Sequence, residues 1–226
     1  MRRGALLPLE PQQPPRIGEI EEALRPLGHT WVIGADEAGR GPLAGPVVAA
    51  ALCLDPERIP AGLNDSKKVS EKVRERLFAE LCQEARAYAV VIKDAAFIDE
   101  VNILEASLQA MAEAADQVFK ALCSQSILAT RLLIDGNCAL GHRVHTCRSV
   151  FQQPIVKGDA RAWAIAGASI LAKVSRDRIM HLLDAQYPGY GFATHKGYPT
   201  AQHRAALRRL GPTPVHRLSF RGVEQP

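Results

Sequence analysis

The stretch from Trp31 to Leu54, WVIGADEAGRGPLAGPVVAAALCL, constrains the fold more than any other. Two short apolar runs rich in β-branched residues, WVIGA and PVVAAALCL, read as strands joined by a glycine-rich turn. A hairpin-like pair at this point predicts a mixed sheet rather than a purely parallel one. The first run also ends oddly, on the adjacent carboxylates Asp36 and Glu37. Neighbouring strand residues point to opposite faces. The two acids can therefore serve one site only if the chain leaves strand geometry between them, a freedom that Gly39 and Gly41 would supply.

Downstream, LNDSKKVS reads as a polar loop ending on Ser70 as a helix N-cap, and the helix that follows puts Val73, Leu77, Phe78 and Leu81 on one face. AYAVVI reads as a third strand, and Asp99 to Leu122 as one long amphipathic helix. TRLLIDGN and QQPIVKGDA hold a fourth and a fifth strand, each ending in Asp and Gly. A long helix should run to about Ala185, followed by a YPGYGF turn and a shorter helix from Thr200 to Leu210. Strands that alternate with helices in this way predict α/β layers, and sites in such sheets gather where strands end. A chain of 226 residues, 47% hydrophobic and 23% charged, suffices for one domain with a proper core. Residues 1–29 are proline-rich and read as a flexible extension, disordered or loosely docked, leaving 30–226 as the folded domain. No uninterrupted apolar run suits a membrane span. Five cysteines without CxxC spacing argue against a zinc site or a disulfide framework and fit a reducing cytoplasm.

Four carboxylates sit where strands should stop: Asp36, Glu37, Asp135 and Asp159. Taken singly, Asp159 reads as a helix N-cap and Asp135-Gly136 as an ordinary turn pair. Taken together, four acids at one sheet edge repel one another unless a divalent cation neutralises them. Oxygen ligands without Cys or paired His favour Mg²⁺ or Mn²⁺ over zinc. Two such ions about 3.5–4 Å apart can drive phosphodiester hydrolysis. A paired acid and base, as in glycoside hydrolysis, would explain two acids but not four. Asp177 falls about 27 Å along the same expected helix from Asp159, so it reads as an ion-pair residue rather than a ligand.

Charge distribution points to the substrate. Net charge is only +4, yet between Asp184 and Glu224 there are no acids, while Lys196, Arg204, Arg208, Arg209, Arg217, Arg221 and three histidines are present. Such a region suits an anionic polymer, or simply a solvated basic face. The glycines of GRGPLAG would let bare backbone approach a ligand and recognise a 2′-hydroxyl. Asn64, Ser66, Lys67 and Lys68 form a candidate phosphate clamp, and Ser169 with Lys173, spaced i, i+4, a second. Tyr198, in THKGYPT, could stack on a sugar or base, or pack on the core.

From Trp31 to Val223 the blocks GADEAGRGPLAGPVVAAA, LNDSKKVS, LIDGN, VKGDA, GASILAKVSRD, YGFATHKGYPT and HRLSF resemble, in order, those of the bacterial type 2 ribonucleases H. The resemblance implies a ribonuclease H-like mixed five-stranded α/β sheet flanked by helices, with additional C-terminal helices. It implies metal-dependent cleavage of RNA in RNA–DNA hybrids and nicking 5′ of single ribonucleotides in duplex DNA, leaving 3′-hydroxyl and 5′-phosphate ends. It also implies roles in ribonucleotide and RNA primer removal. The family's metal-binding acids fall on Asp36, Glu37, Asp135 and Asp159, its ribose reader on Gly39, Arg40 and Gly41, and its junction-sensing tyrosine on Tyr198. Two Mg²⁺ or Mn²⁺ ions are the implied cofactors. The expected partners are hybrid and ribonucleotide-containing duplexes, bound by a monomer. Type 3 enzymes carry a sizeable extra N-terminal domain, which some thirty proline-rich residues cannot form. Trp163 and Gly167 are unusual in AWAIAGASILAK, where a helical glycine costs about 1 kcal/mol relative to alanine.

Overall fold

The structure, a computed structural model, describes residues 15–28, 31–64, 66, 69–129, 131–146 and 150–223. Residues 1–14 and the clamp candidates Lys67 and Lys68 lie outside the described residues. Strands β1 (Val32–Ala38), β2 (Val47–Cys53), β3 (Ala87–Lys93), β4 (Arg131–Asp135) and β5 (Phe151–Ile155) form one sheet, ordered β3-β2-β1-β4-β5. β1 runs antiparallel to β2, and β2 to β3, whereas β1–β4 and β4–β5 are parallel. The sheet is therefore mixed, as the hairpin-like pair requires. The helices are α1 (Glu19–Leu24), α2 (Glu71–Glu84), α3 (Ala95–Val101), α4 (Ile103–Ser124), α5 (Trp163–Gln186), α6 (Phe192–His195) and α7 (Ala201–Leu210).

Every residue of β2 is buried, because helices cover both faces of the sheet. On one face α4 packs Met111, Ala115 and Val118 against Ile33, Ala35, Ala49 and Ala51. On the other, α5 and α2 pack Leu171 and Leu81 against Ala50 and Leu52. β3 is an edge strand, and there Tyr88 and Ile92 remain exposed. α6 and α7 build a separate cluster with Leu43, Met180, Tyr190 and Phe192, which ties the C-terminal region to the glycine-rich turn. Among the described residues no helix is long and apolar enough to cross a membrane.

The structure corrects two expectations about the helices. The single helix from Asp99 to Leu122 is two helices, broken at Asn102 (φ 73°, ψ 161°), whose side chain accepts the Glu105 N–H and starts α4. The apolar period runs across this break, so periodicity cannot reveal it. Asp159 does not open the long helix; it sits in a 3₁₀ turn, Gly158–Ala160, and α5 begins at Trp163. Of the two readings open for the N-terminal extension, docking holds for α1. Ile20 and Leu24 of α1 are fully buried beside Val32, Leu133 and Ile165, and Glu19 pairs with Arg161. A six-residue helix burying two side chains is too short a signal to stand out beside the prolines.

Packing explains the two unusual helix residues. α5 has no side-chain cap of its own, and the Glu21 carboxylate accepts the Ala164 N–H at 2.9 Å. The Trp163 ring lies over Gly18, where a Cβ would stand 2.2 Å from the ring. At Gly167 a Cβ would stand 2.9 Å from Leu52 Cδ2, so the glycine lets α5 approach β2 closely. Helix propensity is given up for packing at this point.

Candidate active site

The carboxyl ends of the parallel strands β1 and β4 frame a cleft of about 380 Å³. Asp36, Glu37, Gly39, Arg40, Gly41, Ser66, Asp135, Ser169, Lys173 and Tyr198 all line it, together with Arg176. Ten expected site residues, from five separate parts of the chain, thus share one concavity. Asn64 and Asp159 are not among its lining residues, and Asp159 is buried.

The two adjacent acids meet in a way the sequence did not indicate. Strand pairing continues through both, with Asp36 opposite Ala50 and Glu37 opposite Ala49, so the chain keeps strand geometry between them. They leave opposite faces, but at the end of the strand, where the cleft spans both. Asp36 lies on the α5 side and is held by the Ser169 hydroxyl and by the Glu37 N–H at 2.7 Å. Asp135, ending β4, accepts the Gly158 N–H at 2.8 Å, which draws the turn bearing Asp159 toward the acids.

Electrostatically the cluster is uncomfortable. Burial pushes the Asp36 carboxyl well above the usual carboxylate range, and repulsion from Glu37 and Asp135 adds to it. Burial likewise raises Glu37, with Asp135 adding to the rise, while Arg40, 3.4 Å away, opposes it. Crowded carboxylates, with Asp36 and Glu37 resisting ionisation beside Asp135, are the donor chemistry of a hard divalent cation, and in that respect the residues fit Mg²⁺ or Mn²⁺. Among the described residues no three acidic, histidine or cysteine side chains have converged to coordinating distance.

The described phosphate-clamp candidates also make contacts within the protein. Ser66 and Ser169 are buried, and their hydroxyls pair with each other at 2.9 Å. Lys173 pairs with Asp177 at 2.7 Å, in keeping with the reading of Asp177 as an ion-pair residue. Tyr198 is 44% exposed, and its ring stands over Gly41, where a Cβ would lie 3.5 Å from Cε1.

Part of the basic C-terminal region turns inward. Arg217, His195, His203 and His216 are buried. The histidines pack against Tyr190 and Phe192, with His203 and His216 in contact at 3.1 Å through their Nε2 atoms. Arg176 and Arg217 are the site residues that sequence reasoning missed. Both are enclosed, and both donate to backbone carbonyls of the glycine-rich turn. Only their position behind the turn reveals this, because a lone arginine in sequence reads as a solvated charge.

The same architecture is found in ribonuclease H2 from Pyrococcus horikoshii OT3, with a TM-score of 0.69 and 26% identity over 85% of this chain and 95% of that one. The Bst ribonuclease HIII solved in complex with Mn²⁺ shares the fold, with a TM-score of 0.71 and 19% identity over 89% of this chain and 70% of that one. Fold and cleft define a ribonuclease H-like α/β protein with an acidic cleft at its strand ends. The family model for ribonuclease HII matches residues 33–223. A ribonuclease HII from Syntrophotalea carbinolica is 46% identical over 206 residues, covering 91% of this chain and 92% of its own. The chain belongs to the ribonuclease HII family.

Proposed function

We propose that the chain hydrolyses the RNA strand of RNA–DNA hybrids and nicks duplex DNA on the 5′ side of a single embedded ribonucleotide, leaving 3′-hydroxyl and 5′-phosphate ends. One observation carries this reading. The carboxylates of Asp36, Glu37 and Asp135 share a single cleft with the Gly39–Gly41 backbone and the exposed Tyr198. On this reading a cutting group and a sugar-reading group stand side by side.

Asp36, at the centre of the cluster, would contact two divalent ions; Glu37 and Asp135 would complete one shell, and Asp159 would help to hold the other. Bound there, Mg²⁺ or Mn²⁺ would supply activation of a water and stabilisation of the leaving 3′-oxygen. The backbone of Gly39, Arg40 and Gly41 meets the 2′-hydroxyl, the group that separates RNA from DNA. Tyr198 stacks on the sugar beyond the cut and registers the RNA–DNA junction. Lys173 and Ser169, with the Asn64–Lys68 loop, contact the phosphates that position the duplex. Such an activity serves removal of ribonucleotides from DNA and of RNA primers.

A labelled duplex carrying one ribonucleotide, incubated with Mg²⁺, Mn²⁺ or EDTA, tests the reading. The expected result is a single nick 5′ of the ribonucleotide with metal and none with EDTA. Cleavage of an all-DNA duplex at a comparable rate would overturn it.

A further inference from the structure

Two arginines lie wholly inside the protein behind the glycine-rich turn: Arg176, on α5, is 1% exposed, and Arg217, after α7, is 0% exposed. Arg176 donates to the carbonyls of Ala44 (3.2 Å), Pro46 (2.9 Å) and Lys196 (3.0 Å). Arg217 donates to those of Gly39 (2.6 Å), Arg40 (3.0 Å) and Gly45 (3.0 Å). The turn is thus gripped from inside by two guanidinium forks. The grip reaches the Tyr198 loop through Lys196, and Leu43 N–H donates to Gly197 O at 2.8 Å.

Burying two cations against neutral carbonyls is costly. Burial pushes Arg176 down to about 10 and Arg217 to about 9, the latter with added repulsion from Arg176. A turn that only reversed the chain would not need them. Their effect on the cleft follows from peptide geometry. A trans peptide is planar, so the carbonyl of one residue and the N–H of the next point in opposite directions, and the described residues contain no cis peptide. With the Gly39 and Arg40 carbonyls held inward by Arg217, the N–H groups of Arg40 and Gly41 face the other way, toward the cleft that both residues line.

We propose that Arg217, supported by Arg176, is a positioning residue for sugar recognition: it fixes the direction of the Gly39–Gly41 peptide groups and so sets the preference for ribose over deoxyribose. The inference rests on the proposed function, in which that backbone meets the 2′-hydroxyl. Lysine in place of either arginine keeps the charge but loses the fork that holds successive carbonyls together.

The test is equilibrium binding of the full chain, in EDTA so that no strand is cut, to a labelled duplex with one ribonucleotide and to the same duplex made only of DNA. Wild type should prefer the ribonucleotide. In Arg217→Lys that preference should fall about tenfold, the worth of roughly one hydrogen bond, while all-DNA affinity holds. Arg176→Lys should move it the same way. A folded Arg217→Lys with its preference intact overturns the inference, as does an equal loss on both duplexes. So does failure of both variants to fold, checked by near-ultraviolet circular dichroism, since the role would then be structural. A wild type without any preference would overturn the proposed function as well, which separates the two failures.

Discussion

Replacing Gly39 with alanine strains the site in two separable ways. Gly39 has φ 98°, a backbone region that alanine enters at a cost of about 1–2 kcal/mol. The added Cβ would also stand 2.1 Å from Arg176 Nε, 2.5 Å from its Cδ and 2.9 Å from the Pro46 carbonyl oxygen. The guanidinium must move, and its Nε is the atom that donates to Pro46 O. Losing one hydrogen bond from a charged donor costs about 1.5–3 kcal/mol. The sum is about 2.5–5 kcal/mol, or a fall in Tm on the order of 10 °C for a chain of this size. Gly62→Ala is the control, because its φ is +81° but a Cβ there meets only Arg76 Nη2 at 3.7 Å. That variant carries the backbone strain alone. Thermal unfolding followed by circular dichroism compares the two. Equal destabilisation would refute the idea that Arg176 packs the turn from behind.

Two buried titratable groups give pH signatures of opposite sign. Glu21 is raised by burial from 4.5 to about 7, and its Oε2 is enclosed without a hydrogen-bond partner. A raised acid stabilises the fold below its unfolded pKa and loses that contribution as pH rises through the folded one, here by up to about 3 kcal/mol. Glu21→Gln should therefore gain Tm relative to wild type between pH 5 and pH 8; a constant difference would contradict this. His216 is lowered by burial, then by His203, from 6.5 to about 4, so its contribution is present above 6.5 and lost as pH falls toward 4. The Tm gap between wild type and His216→Asn should narrow over that range, and a gap that widens in acid would refute the assignment.

The parts of the fold legible in sequence were those with a strong local period. The five strands and the long helices announce themselves because each buries a continuous face, as Ala49, Ala50 and Ala51 do in β2. The Asn102 break was hidden because apolar spacing continues across it, and α1 because a six-residue helix carries too few apolar positions. The acids could be singled out as strand ends, yet how Asp36 and Glu37 reach one cleft depends on where the sheet stops. Arg217 was misread for a different reason. Sequence reports a charge but not which way it faces, and its partners are carbonyls more than a hundred residues away.

The central claim is that the acid cluster at the ends of β1 and β4 performs the cut, and Asp36→Asn on the single-ribonucleotide duplex with Mn²⁺ tests it most directly. Asparagine keeps the shape of the side chain but removes the charge that Glu37 and Asp135 oppose. Nicking should be abolished while all-DNA duplex binding persists and Tm, measured without metal, stays level or rises. Nicking at the wild-type rate by a folded Asp36→Asn protein would contradict the account.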